Sequence, residues 1–453
     1  MDVIERRCRA HKALGAEDFF RVQAAIWAPE LDVSLGRDLT EAGVVGHMRP
    51  PDMDCTAVAS SEECGYRWVM HVAAMTTSRA DWGHIEPVLR VLQDQCRLSL
   101  MVGGAHLETR FGLTVDAIAA AGYPITAEIP FLASDDSRRG MGEGIGRAVL
   151  GCTEALDQLK PDILLLIADR FEMLAPAAAA MALRIPIAHI EGGEISEGAV
   201  DQQVRDALTK MSHLHLVPTQ EAADRVIAMG EAPWRVHITG APSLDHLRRD
   251  AIPSRAEVEA AVGLSLDPAP IVVAFHPTTL REDTVDEAEV FFAAMGACPR
   301  PMVFCFPNAD AGYSRIIELA EAICETRNDA VLRVNLDHLH YWGLLGHASC
   351  LAGNSSSGIM EAASLELPVV NVGMRQQGRT RAANIIDAPA AHHDIGEALE
   401  LACSPTFRAG LRGLRNPYGD GHAADAIASA IISIDLNAEF VIKQQVSITP
   451  TCN

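Results

Sequence analysis

No stretch of the chain approaches the roughly eighteen consecutive apolar residues that a membrane-spanning helix needs, so none is expected. The first thirty residues carry Glu5, Arg6, Arg7, Arg9 and Lys12 and contain no apolar core of signal-peptide length. A secretory leader is therefore not expected. The eleven cysteines are scattered; Cys55 and Cys64, or Cys298 and Cys305, stand too far apart for a CxxC zinc element. Reduced thiols in the cytoplasm are the expected setting. Positive charge is scarce, with 37 Lys and Arg against 60 Asp and Glu. That balance disfavours nucleic acid or an anionic membrane as partner. A small anionic ligand remains possible where a few Arg and His gather. The length of 453 residues is enough for two domains, and 49% hydrophobic residues supply their cores.

The most informative stretch is residues 162–212, DILLLIADRFEMLAPAAAAMALRIPIAHIEGGEISEGAVDQQVRDALTKMS. Residues 163–167 form a short continuous apolar run, which reads as a strand buried on both faces. It delivers Asp169 and Arg170 to its carboxyl end. A helix over 172–183 and a second buried strand over 187–190 follow. Glu191 leaves that strand into a Gly-Gly loop. A helix over 199–212 carries Asp201 and Arg205 four residues apart, on one face. Ligands of open parallel sheets bind outside the carboxyl ends of the strands. Asp169, Glu191 and Asp201 are thus expected to converge.

Strand, loop and helix alternate along most of the chain, which predicts an α/β fold of two Rossmann-like halves with a cleft between them. The expected domains are an extension of unknown role (1–66), a first half (67–247) and a second half (248–420). A terminal helix (421–435) packs back on the first half, and a tail (436–453) follows. The first strand is placed at 67–74 and its helix from His84, with Arg79 and Asp81 in the intervening turn. Arg79 there suits a phosphate, or it simply pairs with a helix-capping Asp81. A loop histidine such as His106 is ordinarily solvated. Gly142, Gly144 and Gly146 follow no strand directly and read as a helix start, not a dinucleotide fingerprint.

In the second half, Gly353-Asn354-Ser355-Ser356-Ser357-Gly358 opens a helix straight after a strand. Small residues and hydroxyls there suit a diphosphate, and Glu361 on the expected first turn could reach a ribose hydroxyl. The bland alternative is a serine cap with a favourable first-turn acid. His276 follows the first strand of this half, and Arg375 and Arg379 flank a glycine-containing loop. For Asp201 and Arg205 the bland alternative is a helix-face ion pair. For Asp169 it is capping of the next helix. No metal cluster is apparent.

Taken together, residues 67–434 resemble the UDP-N-acetylglucosamine 2-epimerase family, and most closely its hydrolysing branch, which serves sialic-acid-like sugar synthesis. The resemblance rests on TSRADWG from Thr77, ADRFEML from Ala168 and HIEGGEISEGAVDQQVRDALTKMSHLH from His189. It rests also on GAPSLD from Gly240, HPTT from His276, GNSSSGIMEA from Gly353 and NVGMRQQGR from Asn371. It implies a GT-B arrangement with the active site between the domains. It places Asp169, Glu191 and Asp201 at catalytic carboxylate positions and His276 at the diphosphate. It places Arg79, Ser355, Ser356, Glu361 and Arg375 at nucleotide contacts and Arg205 at the motif arginine. A homo-oligomer without cofactor or metal is implied. Three departures stand out: Gln202 where the branch often has a second Asp, Ala168 in a GDRF-like turn, and Thr77 where Gly is usual.

The implied reaction takes UDP-N-acetylglucosamine and water to N-acetylmannosamine and UDP through a glycal. UDP- or GDP-linked N,N′-diacetylbacillosamine is the rival substrate. A GT-B glycosyltransferase is the rival class; three acids at the strand ends of the first half argue against it.

Overall fold

The computed structural model describes residues 69–278, 284–307, 310–334 and 336–444. The expected extension 1–66, the start of the expected first strand at Arg67, Thr279 of the HPTT motif and the tail beyond Gln444 lie outside these residues.

Seven parallel strands form the first sheet: β1 (His71–Thr76), β2 (Arg97–Gly103), β3 (Ile125–Ile129), β4 (Ile163–Ile167), β5 (Ile187–Ile190), β6 (Leu214–Val217) and β7 (Val236–Ile238). Their order is β3-β2-β1-β4-β5-β6-β7. Six more form the second sheet: β8 (Ile271–Ala274), β9 (Met302–Cys305), β10 (Ala330–Arg333), β11 (Cys350–Gly353), β12 (Val369–Val372) and β13 (Ile385–Ala388). Their order is β10-β9-β8-β11-β12-β13. The expected pair of Rossmann-like domains in a GT-B arrangement is therefore borne out. In each sheet the chain winds outward, returns to the middle and winds out the other way. The switch points lie between β1 and β4 and between β8 and β11. Ligand clefts form at such points, outside the carboxyl ends.

The continuous apolar runs become strands because both sheet faces are covered. Val72, Ala74 and Leu165 face a core shared with the helices Arg79–Leu92 and Ala423–Ile432. Ala73, Met75 and Leu164 face the opposite core, with the helices Arg138–Leu159 and Leu174–Leu183. The terminal helix inserts Ala423, Ala424, Ile427, Ala428 and Ile431 into the first domain. Its first two free N–H groups are taken by the buried carboxylate of Asp245, at 2.9 and 3.0 Å. The tail begins later than Leu436: Phe440 is buried in the same core, and Arg235 donates to its carbonyl at 2.8 Å.

Several boundaries differ from the sequence reading. β1 starts at His71, and the helix expected from His84 begins at Arg79. Asp81 sets that start by accepting from the backbone N–H of Thr77 at 2.7 Å and of Ser78 at 2.8 Å, a capping arrangement. The Gly142–Gly146 run lies inside a helix that begins at Arg138. The helix expected over 172–183 opens with a short 3-10 turn, Phe171–Met173. The helix after β11 spans only Ser356–Met360, so Glu361 stands at its end, not on its first turn.

Candidate active site

Both switch points deliver side chains into one cleft. From the first sheet, β1 leads into Ser78, Arg79 and the helix bearing His84. Asp169 follows β4 and Glu191 follows β5. From the second sheet, His276 follows β8, Ser355 and Ser356 follow β11, and Arg375 follows β12. Two residues at these ends hold left-handed backbone: Ala168 at φ 61° and Glu191 at φ 64°. Non-glycine residues rarely adopt that conformation, and it concentrates at functional sites. Ala168 keeps it because the His189 ring meets its carbonyl oxygen at 2.7 Å. Gly198 serves a close approach: a Cβ there would lie 2.9 Å from the backbone nitrogen of Arg375, across the cleft.

The cleft has two connected chambers. One is lined by Asp169, Glu191, Glu194, Asp201, Arg205 and Arg379. Arg205 is only 1% exposed. It donates to Asp169, to the Glu194 carbonyl at 2.9 Å and to Ser196 Oγ at 3.0 Å. The helix-face pair of Arg205 with Asp201 is thus replaced by a pair with Asp169. Asp201 instead faces Arg375 at 3.8 Å. Arg379 lies here too, 3.6 Å from Asp169 and donating to the Ile195 carbonyl at 2.9 Å. Of the two arginines that flank the glycine-containing loop, Arg375 lines both chambers and Arg379 only this one.

Gln202, the first departure, accepts from the Ser196 N–H at 2.7 Å and donates to Asp206 at 3.0 Å. An Asp there would lose the donor and face a like charge one helical turn away. Thr77, the third departure, adds its hydroxyl to the Asp81 cap at 2.8 Å.

The other chamber is lined by Arg79, His276, Ser355, Ser356, Glu361 and Arg375, with Phe306, Arg333 and Tyr341. Asn354 fastens the second switch point by accepting from the His276 N–H at 2.7 Å and donating to its carbonyl at 2.9 Å. Burial, with Arg375 and Arg170 nearby, pushes the His276 imidazole well below its usual value. Arg375 donates to the Asn354 carbonyl at 3.0 Å. Tyr341 OH and Ser357 Oγ are 2.7 Å apart, which orients the serine loop. Arg79 does not pair with Asp81; it reaches the Leu336 carbonyl at 3.5 Å.

Sequence reasoning missed His84, Glu194 and Asp310. His84 lines both chambers. Glu194, in the same EGGE segment as Glu191, is buried and accepts from Tyr418 OH at 3.1 Å; burial raises its pKa. Asp310 of the second domain faces Arg170 of the first at 3.7 Å. His106 is fully buried between Thr76 Oγ1 at 2.9 Å and Thr114 Oγ1 at 2.6 Å, not solvated. Glu86, His246 and His338 also gather near the cleft. Arg90 already holds Glu86 at 2.7 Å, and both ring nitrogens of His246 are engaged by Asp250 and the Gly83 carbonyl.

Comparison with known proteins agrees with this geometry. The family model described as UDP-N-acetylglucosamine 2-epimerase matches residues 90–432. A hydrolysing UDP-N,N′-diacetylbacillosamine 2-epimerase of Legionella pneumophila is 33% identical, over 83% of this chain and 99% of that protein. A UDP-N-acetylglucosamine 2-epimerase of Neisseria meningitidis is 31% identical over 74% of this chain and 87% of that protein. Among solved structures, a Neisseria meningitidis UDP-GlcNAc 2-epimerase bound to UDP-GlcNAc shares the fold. Its TM-score is 0.69 at 17% identity, over 81% of this chain and all of the other. The chain belongs to the UDP-N-acetylglucosamine 2-epimerase family, in its hydrolysing branch.

Proposed function

We propose that the protein converts a UDP-linked 2-acetamido sugar and water into UDP and the free 2-epimerised sugar. The observation that carries this reading is the junction of a carboxylate-lined chamber, with Asp169, Glu191, Glu194 and Asp201, and a chamber of serines, His276 and Arg375. UDP-N-acetylglucosamine is the substrate first expected. UDP-N,N′-diacetylbacillosamine is the second reading, favoured by the Legionella pneumophila relative matched over 99% of its length.

The hydrogen on sugar carbon 2 is not acidic by itself. A carboxylate removes it as the bond from carbon 1 to the diphosphate breaks, leaving a glycal and UDP. Arg375, Arg79 and His276 face the place where phosphate charge develops, and fixed donors there stabilise it. Water then adds its oxygen to carbon 1, and a proton arrives at carbon 2 from the opposite face. Of the acids, Asp169 is held by two arginines, whereas Glu191 pairs with the His84 imidazole. That asymmetry suits a pair with divided acid and base duties.

The test is a panel of UDP- and GDP-linked sugars assayed without any acceptor. The expected result is UDP release matched by a free 2-epimer carrying solvent deuterium at carbon 2. Turnover that requires an added acceptor would point to a glycosyltransferase.

A further inference from the structure

His84 sits where the two chambers meet and lines both, together with Ala80, Ser356 and Arg375. Its Nδ1 lies 2.7 Å from Glu191 Oε1 and its Nε2 lies 3.5 Å from Glu361 Oε1. Glu191 belongs to the first domain and Glu361 to the second. Both are buried, at 4% and 6% exposure. Only the doubly protonated ring offers an N–H to each; a neutral ring would turn a lone pair toward one carboxylate. The charged groups facing the ring are Glu191, Glu361 and Arg379. Burial works against the proton, as does Arg379. The two carboxylates outweigh them and raise the imidazole to about 9.

We propose that His84 is a positioning residue: as an imidazolium it ties Glu191 of the first domain to Glu361 of the second, aligning Glu191 when the cleft is closed. Glu361 stands in the nucleotide chamber and Glu191 in the carboxylate chamber. The tie therefore links occupancy of one to geometry in the other. The consequence for turnover rests on the epimerase reading; the tie itself belongs to the free protein.

Two measurements separate the two. In ligand-free protein labelled with ¹⁵N-histidine, one imidazole should stay charged through pH 8 and titrate near 9. That signal should be absent in His84→Gln and should titrate at lower pH in Glu361→Gln. A His84 ring that titrates at or below the ordinary histidine value would overturn the proposal whatever the enzyme's substrate is.

With the donor identified by the panel, wild-type kcat should fall as pH rises through the same titration. His84→Gln should lower kcat by about tenfold to a hundredfold, the scale of a misplaced reacting group, with KM changed far less. It should also abolish that alkaline limb, and His84→Lys should restore part of the rate by restoring the cation. An unchanged limb in His84→Gln, or a loss confined to KM, would refute the positioning role.

Discussion

At the scale of single residues, the two acids that follow β4 and β5 differ in what they hold. Asp169 is the anion for two arginines, one of them fully buried. Glu191 meets the ring of His84. The sequence puts both at strand ends facing one site and does not distinguish them. The structure separates them. Asp169→Asn and Glu191→Gln are each expected to lower turnover by about 10²-fold or more, the usual scale for lost acid–base catalysis. Asp169→Asn should in addition cost about 3 kcal/mol, because it leaves the buried Arg205 guanidinium without its anion. Glu191→Gln keeps an oxygen toward His84 but removes one of the two charges that hold its proton. It should melt below wild type yet above Asp169→Asn, because an imidazole, unlike a guanidinium, can shed its proton. Calorimetry beside steady-state kinetics checks both; equal melting of the two variants would contradict this account, and full activity in either would remove that residue from the chemistry.

At the scale of elements, the strands were legible and some helix starts were not. Continuous apolar runs such as Ile163–Ile167 have one explanation, burial on both faces of a parallel sheet. The Arg79–Leu92 helix was placed five residues late because Ser78, Arg79, Asp81 and Gly83 read as a polar turn; this first stretch of the helix faces the cleft through Arg79, Ala80, Gly83 and His84. The capping pattern Ser78-x-x-Asp81 was a readable sign of the true start. Reading it would have put His84 in the second turn, beside the site. Which acid each arginine meets was not legible, since Arg205 and Arg379 find Asp169 only through tertiary packing. The cap itself is testable. Asp81 is 3% exposed and accepts from two backbone N–H groups and from the hydroxyls of Thr76, Thr77 and Ser78. Asp81→Ala should cost about 2 kcal/mol, the upper end for a lost cap, since the donors left behind are buried. It should also lower kcat/KM, because Arg79 and His84 ride on the same helix. Wild-type kinetics in a destabilised variant would show that the helix start does not position the site.

At the scale of the whole molecule, the histidines set how stability depends on pH. His106 and His189 are fully buried, and burial pushes each imidazole down to about 4. His213 and His338 are pushed to about 4 by the same cause. A group whose folded pKa is depressed stabilises the fold above its unfolded value and loses that contribution as pH falls. For these histidines the window runs from 6.5 down to about 4. For a fully buried histidine that fall corresponds to about 3 kcal/mol. His84 has the opposite sign: its contribution is complete below 6.5 and is lost as pH rises to about 9. Among the described histidines, several therefore act on the acid side and one on the alkaline side. Glu172, raised by burial to about 7, partly offsets the acid slope, and the buried thiols of Cys96 and Cys152, raised to about 11 and about 12, add to the alkaline loss. The melting temperature, measured at constant ionic strength from pH 4.5 to 9.5, should peak just above 6.5, drop steeply in acid and decline gently in alkali. His84→Gln should flatten the alkaline slope and leave the acid slope unchanged. An acid slope as shallow as the alkaline one would mean that the buried histidines can take up protons in the folded state, against the burial of His106 and His189 on which this reasoning depends.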